Sequence, residues 1–310
     1  MTILITGSRG KTSSQLATLL HPTHIILIAS RTPPKSPIHP TVRFDWNDEA
    51  TFTNPFDHAV AQKEAISAVY LVAPETADAS TLVMRFIHLA RSRSVNRFVL
   101  LSAWELEMGA DMLAGKAHEE LEKVGREEGL EWAVGAYTSF VLCFSPDLLS
   151  DRIFALVRPH FFMENFLEGH HLATITNEDK IYSATQNGSK PFISAFDIAN
   201  VAKVALIDNK SHNIDYVVTG NETLTYDEVA ATLSSVLGRK ISHIKLDPDA
   251  FTSLLQANGM HSFVANYLAE IDVKVAEGFS KEPTHNVKKV TGQDPKSFKQ
   301  FVEEKKNIWM

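Results

Sequence analysis

The sequence predicts an α/β protein, a Rossmann-like doubly wound parallel sheet with a smaller C-terminal α+β lobe. Three observations carry that expectation. Short apolar runs such as Ile3-Leu4-Ile5, Ile25-Ile26-Leu27-Ile28-Ala29 and Ile66–Val72 recur between turn residues, as strands buried on both faces do. Stretches with apolar residues at helical spacing separate them, which makes successive strands parallel. The first run stops at a glycine-rich basic turn, Gly7-Ser8-Arg9-Gly10-Lys11-Thr12, and the periodic segment Gln15–Leu20 follows at once.

Strand, tight turn and helix N-terminus in that order present backbone N–H groups and the positive end of a helix dipole to a phosphate. Gly10-Lys11-Thr12 matches the end of a P-loop, in which lysine reaches the terminal phosphates and threonine holds magnesium. That motif needs an earlier glycine where this chain has Ile5. The dinucleotide fingerprint finds its first two glycines at Gly7 and Gly10, with the small Ser13 in place of the third. An ordinary glycine turn is the bland alternative. The second apolar strand ends at Ser30-Arg31, where a Rossmann fold selects its cofactor. An acidic residue there bonds the ribose 2′-OH of NAD, whereas an arginine pairs with the 2′-phosphate of NADP. Ser30, Arg31 and Arg9 therefore favour NADP(H), against a simple solvated strand end.

The other elements follow in order. Pro33-Pro34-Lys35-Ser36-Pro37 is a loop. Thr41-Val42-Arg43-Phe44 is a third strand, with Asp45 beyond it placed to face an adenine or to cap. A polar helical stretch over 49–63 leads to the strand Ile66–Val72, whose carboxyl end at Ala73-Pro74 would lie under the pyrophosphate and nicotinamide ribose. A helix over 81–91 precedes a fifth strand, 97–103, which carries Ser102 near its end. Ligands of such sheets bind at the carboxyl ends of the strands, so the glycine turn, Arg31, Ala73 and Ser102 should share one edge. Glu131-Trp132-Ala133-Val134 begins a sixth strand. The later chain offers strands at 179–185, 216–219 and 241–246, and helices at 197–206 (Asp197 as its cap), 229–237, 262–276 and 297–306, the last with proline at its first position. Thr225–Glu228 reads as a capping box and Gly238 as a helix end. The expected division is a cofactor domain over 1–160 and a mainly substrate-binding lobe over 161–310, with some segments returning to the sheet.

Composition narrows the class. The chain has 310 residues, 44% of them hydrophobic, and a net charge of −7. That is enough for a large core and argues against a nucleic-acid surface, which would show a clustered basic excess. No apolar run approaches the ~20 residues of a membrane span, and no basic-then-apolar leader precedes the first strand. The one cysteine, Cys143, rules out internal disulfides and fits a reducing cytoplasm. Thirteen histidines are scattered, and His170-His171 lacks a second pair at metal spacing, so these read as loop residues and no metal is expected.

Short-chain reductases place a Tyr-x-x-x-Lys pair after the Ser102 strand, as proton donor to a carbonyl oxygen. Here the matching stretch is Met112-Leu113-Ala114-Gly115-Lys116, which keeps the lysine and lacks the tyrosine. His118 is an alternative acid that reads better as exposed helix surface. Ser102, Lys116 and Glu164 are the catalytic candidates, and Ser102 and Lys116 also belong with the cofactor set. The missing tyrosine leaves two options: reduction of a group that needs no protonation, or cofactor binding without turnover.

These residues together resemble the NmrA-like atypical short-chain reductases, and within them the fungal festuclavine and agroclavine dehydrogenases of ergot alkaloid biosynthesis. The stretches that carry the resemblance include the Gly-x-Arg-Gly-Lys-Thr turn, Phe44-Asp45-Trp46, Arg158-Pro159 with Phe162-Met163-Glu164-Asn165, Asp179–Thr185, Pro191–Ser194, Val287–Gly292 and Trp309-Met310. The resemblance implies NADPH-dependent reduction of a cyclic iminium, formed from chanoclavine-I aldehyde by ring closure, to a tetracyclic clavine. Hydride added to an iminium carbon neutralises the nitrogen, so no oxyanion forms and no acid is required. An indole alkaloid substrate wants apolar, π-faced walls. Phe161, Phe162 and Met163 are candidates for them, and Glu164 for offsetting the iminium charge. The alternatives are a non-catalytic NADP-sensing regulator and a quinone or carbonyl reductase on the same scaffold. One stretch departs from the family: in related reductases a Trp-x-x-x-Arg-Pro strand runs directly into Phe-Met-Glu-Asn. Here about 135–155 stands between Val134 and the Arg158-Pro159 stretch as an apparent insertion, which reads as translated intron.

Overall fold

The computed structural model describes residues 1–21, 23–74, 76, 78–102, 153–210, 212, 214–279 and 282–310. Strand β1 (Thr2–Ile5) is buried along its whole length, as a strand covered on both faces must be. It pairs with β2 (Ile25–Ser30) on one side and with β4 (Ile66–Val72) on the other. Strand β3 (Thr41–Arg43) extends the first side, while β5 (Arg97–Leu101), β6 (Ile153–Pro159) and β9 (Ile214–Val218) extend the second. Among the described residues the sheet order is β3-β2-β1-β4-β5-β6-β9, and every pair whose register is described is parallel. The order reverses at β1, which is the switch point of a Rossmann sheet.

Helix α1 (Lys11–Leu20) follows β1, and α4 (Ala79–Ser92) follows β4. The helix expected over 49–63 is instead three short pieces: a 3₁₀ turn at Glu49–Thr51, α2 (Asn54–Asp57) and α3 (Ala59–Lys63). Pro55 lacks an N–H and can only open a helix. His58 is extended, and its Nδ1 accepts the Val60 N–H to start α3. Phe44, Trp46, Phe52 and Phe86 pack ring against ring in the core on this side, with centroids 4.9–5.7 Å apart.

The sixth strand lies elsewhere than expected. Ile153–Pro159 fills the place beside β5, with Arg97 opposite Ile153 and Leu101 opposite Val157. Residues 153–155, read above as the end of the insertion, are therefore sheet. The run Ile153-Phe154-Ala155-Leu156-Val157 is as apolar as Trp132-Ala133-Val134, and periodicity does not distinguish two such runs. Residues 103–152 lie outside the described residues, and with them Lys116, His118, Cys143, Trp132–Val134 and most of the apparent insertion.

The chain divides into two units, one formed by Met1–Pro159 and Ile198–Val217, the other by His160–Asp197 and Val218–Met310. The second holds two small sheets: β7 (Lys180–Ser183) parallel to β11 (Ser242–Lys245), and β8 (Ser189–Lys190) antiparallel to β10 (Leu224–Thr225). Its helices are α5 (Gly169–Glu178), the start of α6 (Ala195–Ile207), α7 (Tyr226–Leu237), α8 (Pro248–Ala257), α9 (Ser262–Ala276), α10 (Asn286–Thr291) and α11 (Phe298–Lys305). Thr225 and Glu228 form the capping box of α7, and Gly238 closes that helix at φ +68°. Three details differ from the sequence reading. His170 and His171 lie on α5, not in a loop. Ser194 Oγ accepts the Asp197 N–H and donates to its carboxylate, so Ser194 caps α6. Ser297, with Gln300, caps α11, and Pro295 precedes the helix.

Met163, Phe166, Phe192, Tyr226, Phe298 and Trp309 form the main core of this unit. A buried ion pair lies within the unit as well, Lys190 Nζ to Asp272 Oδ1 at 2.6 Å, with the second Asp272 oxygen accepting the Ala184 N–H. No helix among the described residues is long and apolar enough to cross a membrane.

Candidate functional site

Parallel strands end on one edge, so Gly7 after β1, Ser30-Arg31 at the end of β2, Asp45 beyond β3, Ala73 after β4 and Ser102 after β5 share the carboxyl edge of the first unit's sheet. Gly7 turns the chain at φ +69°, and a Cβ there would come within 2.8 Å of Val72 Cβ, so packing against β4 and backbone conformation both require glycine. Its carbonyl accepts the Gly10 N–H at 2.7 Å, which closes the turn. Gly10 stands at the N-cap of α1 in an extended conformation and offers no capping side chain. The first-turn N–H groups of a helix have no intrahelical acceptor, and here Gly10 makes no side-chain cap bond to them. Ser13 is buried, its Oγ donating to the Thr6 carbonyl at 2.8 Å. It packs helix against strand where the fingerprint has its third small residue.

Thr12 departs from the sequence expectation. Its side chain turns inward, 2% exposed, and its Oγ1 accepts a 2.9 Å hydrogen bond from the hydroxyl of the fully buried Tyr70. A hydroxyl held in that way is not the magnesium ligand of a P-loop, so the P-loop reading fails. Thr12 can reach a phosphate only through its backbone N–H. Burial holds the Tyr70 phenol well above its ordinary pKa, so it stays a donor. Tyr70 was missed in the sequence, as was Thr6, whose Oγ1 accepts the Val72 N–H at 2.7 Å and ties β1 to β4.

Around the turn, Ser8 and Lys11 are half-buried while Arg9 and Arg31 are exposed. Ser30 is buried, and its carbonyl accepts the Phe44 N–H at 2.9 Å. Asp45 holds its own turn, Oδ1 accepting the Asn47 N–H at 3.1 Å, as a capping residue does. Ser102 is buried, with its N–H bonded to the Val157 carbonyl at 2.9 Å.

The substrate candidates lie in the second unit. Phe162 bridges Ile193, flanked by Ile193 N–H to Phe161 carbonyl and Met163 N–H to Ile193 carbonyl, both 2.9 Å. Phe161 and Phe162 keep partial exposure. Met163 is fully buried in the core of this unit. Glu164 Oε2 accepts the Ala195 N–H at 2.9 Å, so this carboxylate is engaged at the start of α6.

A Rossmann sheet with an uncapped glycine turn at its switch point defines a dinucleotide-binding α/β protein. Residues 149–304 match the NmrA-like family. The chain is 41% identical to a festuclavine dehydrogenase of Aspergillus fumigatus, over all of this chain and 99% of that protein. It is 38% identical to an agroclavine dehydrogenase of Claviceps fusiformis, again over all of this chain and 99% of the other. The chain belongs to the NmrA-like family. Among solved structures it resembles an NADPH-dependent quinone oxidoreductase of Escherichia coli complexed with NADPH, at TM-score 0.75 and 19% identity over 98% of this chain and 100% of that one.

Proposed function

We propose that the protein is an NADPH-dependent reductase of clavine biosynthesis, adding hydride to the C=N bond of a cyclic iminium derived from chanoclavine-I aldehyde. The product is a tetracyclic clavine of the festuclavine or agroclavine type. The observation that carries this reading is the likeness to festuclavine and agroclavine dehydrogenases along the whole chain. The first unit fits the cofactor: the uncapped start of α1 suits a pyrophosphate, and Arg31 directly follows β2, where a Rossmann fold reads a 2′-phosphate.

In this reading Gly7, Ser8, Arg9, Gly10 and Lys11 surround the pyrophosphate, with Thr12 contributing its backbone. Ser30 and Arg31 take the ribose phosphate, Asp45 borders the adenine, and Ala73 and Ser102 line the path toward the nicotinamide; Lys116 joins this set on its place in the sequence alone. Bound there, the reduced nicotinamide supplies hydride. The accepting carbon becomes an amine carbon as nitrogen loses its charge, so the protein orients the two partners and excludes water. Phe161, Phe162 and Met163 are the candidates for the indole-facing walls, the first two partly exposed and Met163 buried behind them. The cytoplasm, reducing and rich in NADPH, is the compartment this chemistry fits.

Incubating the purified chain with NADPH and the cyclised iminium should yield a tetracyclic clavine carrying deuterium when deuterated cofactor is used. Cofactor bound but never consumed would favour the regulator reading, and turnover of quinones alone would favour the quinone reductase.

A further inference from the structure

The glycine turn is fastened to β4 by its neighbours at several points. Thr6 Oγ1 takes the Val72 N–H, the Thr6 N–H bonds the Tyr70 carbonyl at 3.0 Å, and Gly7 lies flat against Val72. These contacts fix the strand end. The Tyr70 hydroxyl donates to Thr12 Oγ1 at 2.9 Å, with both residues buried, and so ties β4 to the first turn of α1. The Tyr70 ring is fully enclosed, and its hydroxyl has one fixed acceptor. Together with Ser13 Oγ on the Thr6 carbonyl, it holds the helix N-terminus against the sheet.

We propose that Tyr70 is a positioning residue for the cofactor: through Thr12 it fixes the first turn of α1 so that its backbone N–H groups converge on the pyrophosphate. The proposal rests on the assignment of this turn to NADP(H). It also separates two contributions to affinity. Arg31 reads the ribose phosphate that only NADPH carries, whereas Tyr70 acts on the pyrophosphate that NADPH and NADH share.

Tyr70→Phe removes one oxygen and keeps the ring. The expected result is a dissociation constant about three- to tenfold higher, by the same factor for NADPH and NADH, as loss of one neutral hydrogen bond implies. In turnover the loss falls on KM for the cofactor and not on kcat, with the melting temperature held within a few degrees. Thr12→Val reads the same bond from the helix side should Tyr70→Phe fold poorly. The double variant should bind no worse than the weaker single one. Unchanged affinity in a folded Tyr70→Phe protein, or a loss confined to NADPH, overturns the proposal. Gly10→Ala and Arg31→Glu separate the two levels: if neither weakens cofactor binding, the assignment of the turn itself fails. If both do and Tyr70→Phe does not, only the role of Tyr70 fails.

Discussion

The Gly7–Thr12 turn and the Phe161–Glu164 segment each follow a strand of the main sheet, yet the chain builds them in opposite ways. The turn is made of backbone: two glycines, an uncapped helix start and an arginine, Arg9, left exposed. The later segment is made of side chains, most of which turn inward. Met163 goes to the core, Glu164 bonds the Ala195 N–H, and one side of Phe161 is covered by the Lys190 ammonium 3.7 Å from its ring centroid. A site built from backbone keeps its chemistry facing outward, whereas a run of aromatic and acidic residues is readily absorbed into packing.

The largest expected effect breaks the inward-facing half. Lys190→Met leaves Asp272 charged and buried without its partner, at a cost of about 3–5 kcal/mol. The paired change Lys190→Met with Asp272→Leu should recover much of that in urea unfolding, as apolar replacement of a buried pair does. Equal losses in the single and double variants would mean the pair does not hold this unit together. On the outward-facing half, Arg31→Glu should weaken NADPH by about 10- to 100-fold, the range of a charge-assisted contact worth about 1.5–3 kcal/mol. NADH should lose far less. Equal loss of both cofactors in a titration would show that Arg31 does not read the 2′-phosphate.

A smaller effect follows from the histidines on α5. Burial holds the His170 imidazole down to about 4 and His171 well below its ordinary value, with the Lys190 charge adding to both shifts and Asp272 opposing it at His170. The unfolded chain takes up protons near pH 6.5 that these folded rings refuse. Their contribution is therefore intact above that pH and is lost as pH falls toward 4. His171→Phe, whose ring would keep the contacts with Phe166 and Tyr226, should flatten the decline in unfolding free energy between pH 7 and 5. An unchanged slope would point to other groups.

Much of the outward-facing site was legible because glycine, small residues and arginine have few reasons to occur at strand ends in that order. Ser13 in the third position and Arg31 after β2 needed only sequence spacing. The Tyr70–Thr12 bond did not show, since it joins a strand and a helix 58 residues apart and leaves no periodic trace. The fate of Met163 and Glu164 depended on the bridge to Ile193, which no local pattern announces. The sixth strand was misplaced for a different reason: two apolar runs compete for one slot. Removing 135–155 would join Val134 to Leu156 and set Trp132-Ala133-Val134 opposite Arg97-Phe98-Val99, the rungs now held by Ile153-Phe154-Ala155. We expect that shortened chain to fold and bind NADPH with a melting temperature within a few degrees of the full one, and the transcript to lack the coding stretch. Failure to fold, or an mRNA that encodes it, would make the segment native.

The central claim is most directly tested by one assay: NADPH absorbance followed with the purified chain and the cyclic iminium from chanoclavine-I aldehyde, with NADH in parallel. The account predicts stoichiometric oxidation of NADPH matched by tetracyclic clavine, at a rate well above that with NADH. Tight NADPH binding with no oxidation and no clavine would contradict it.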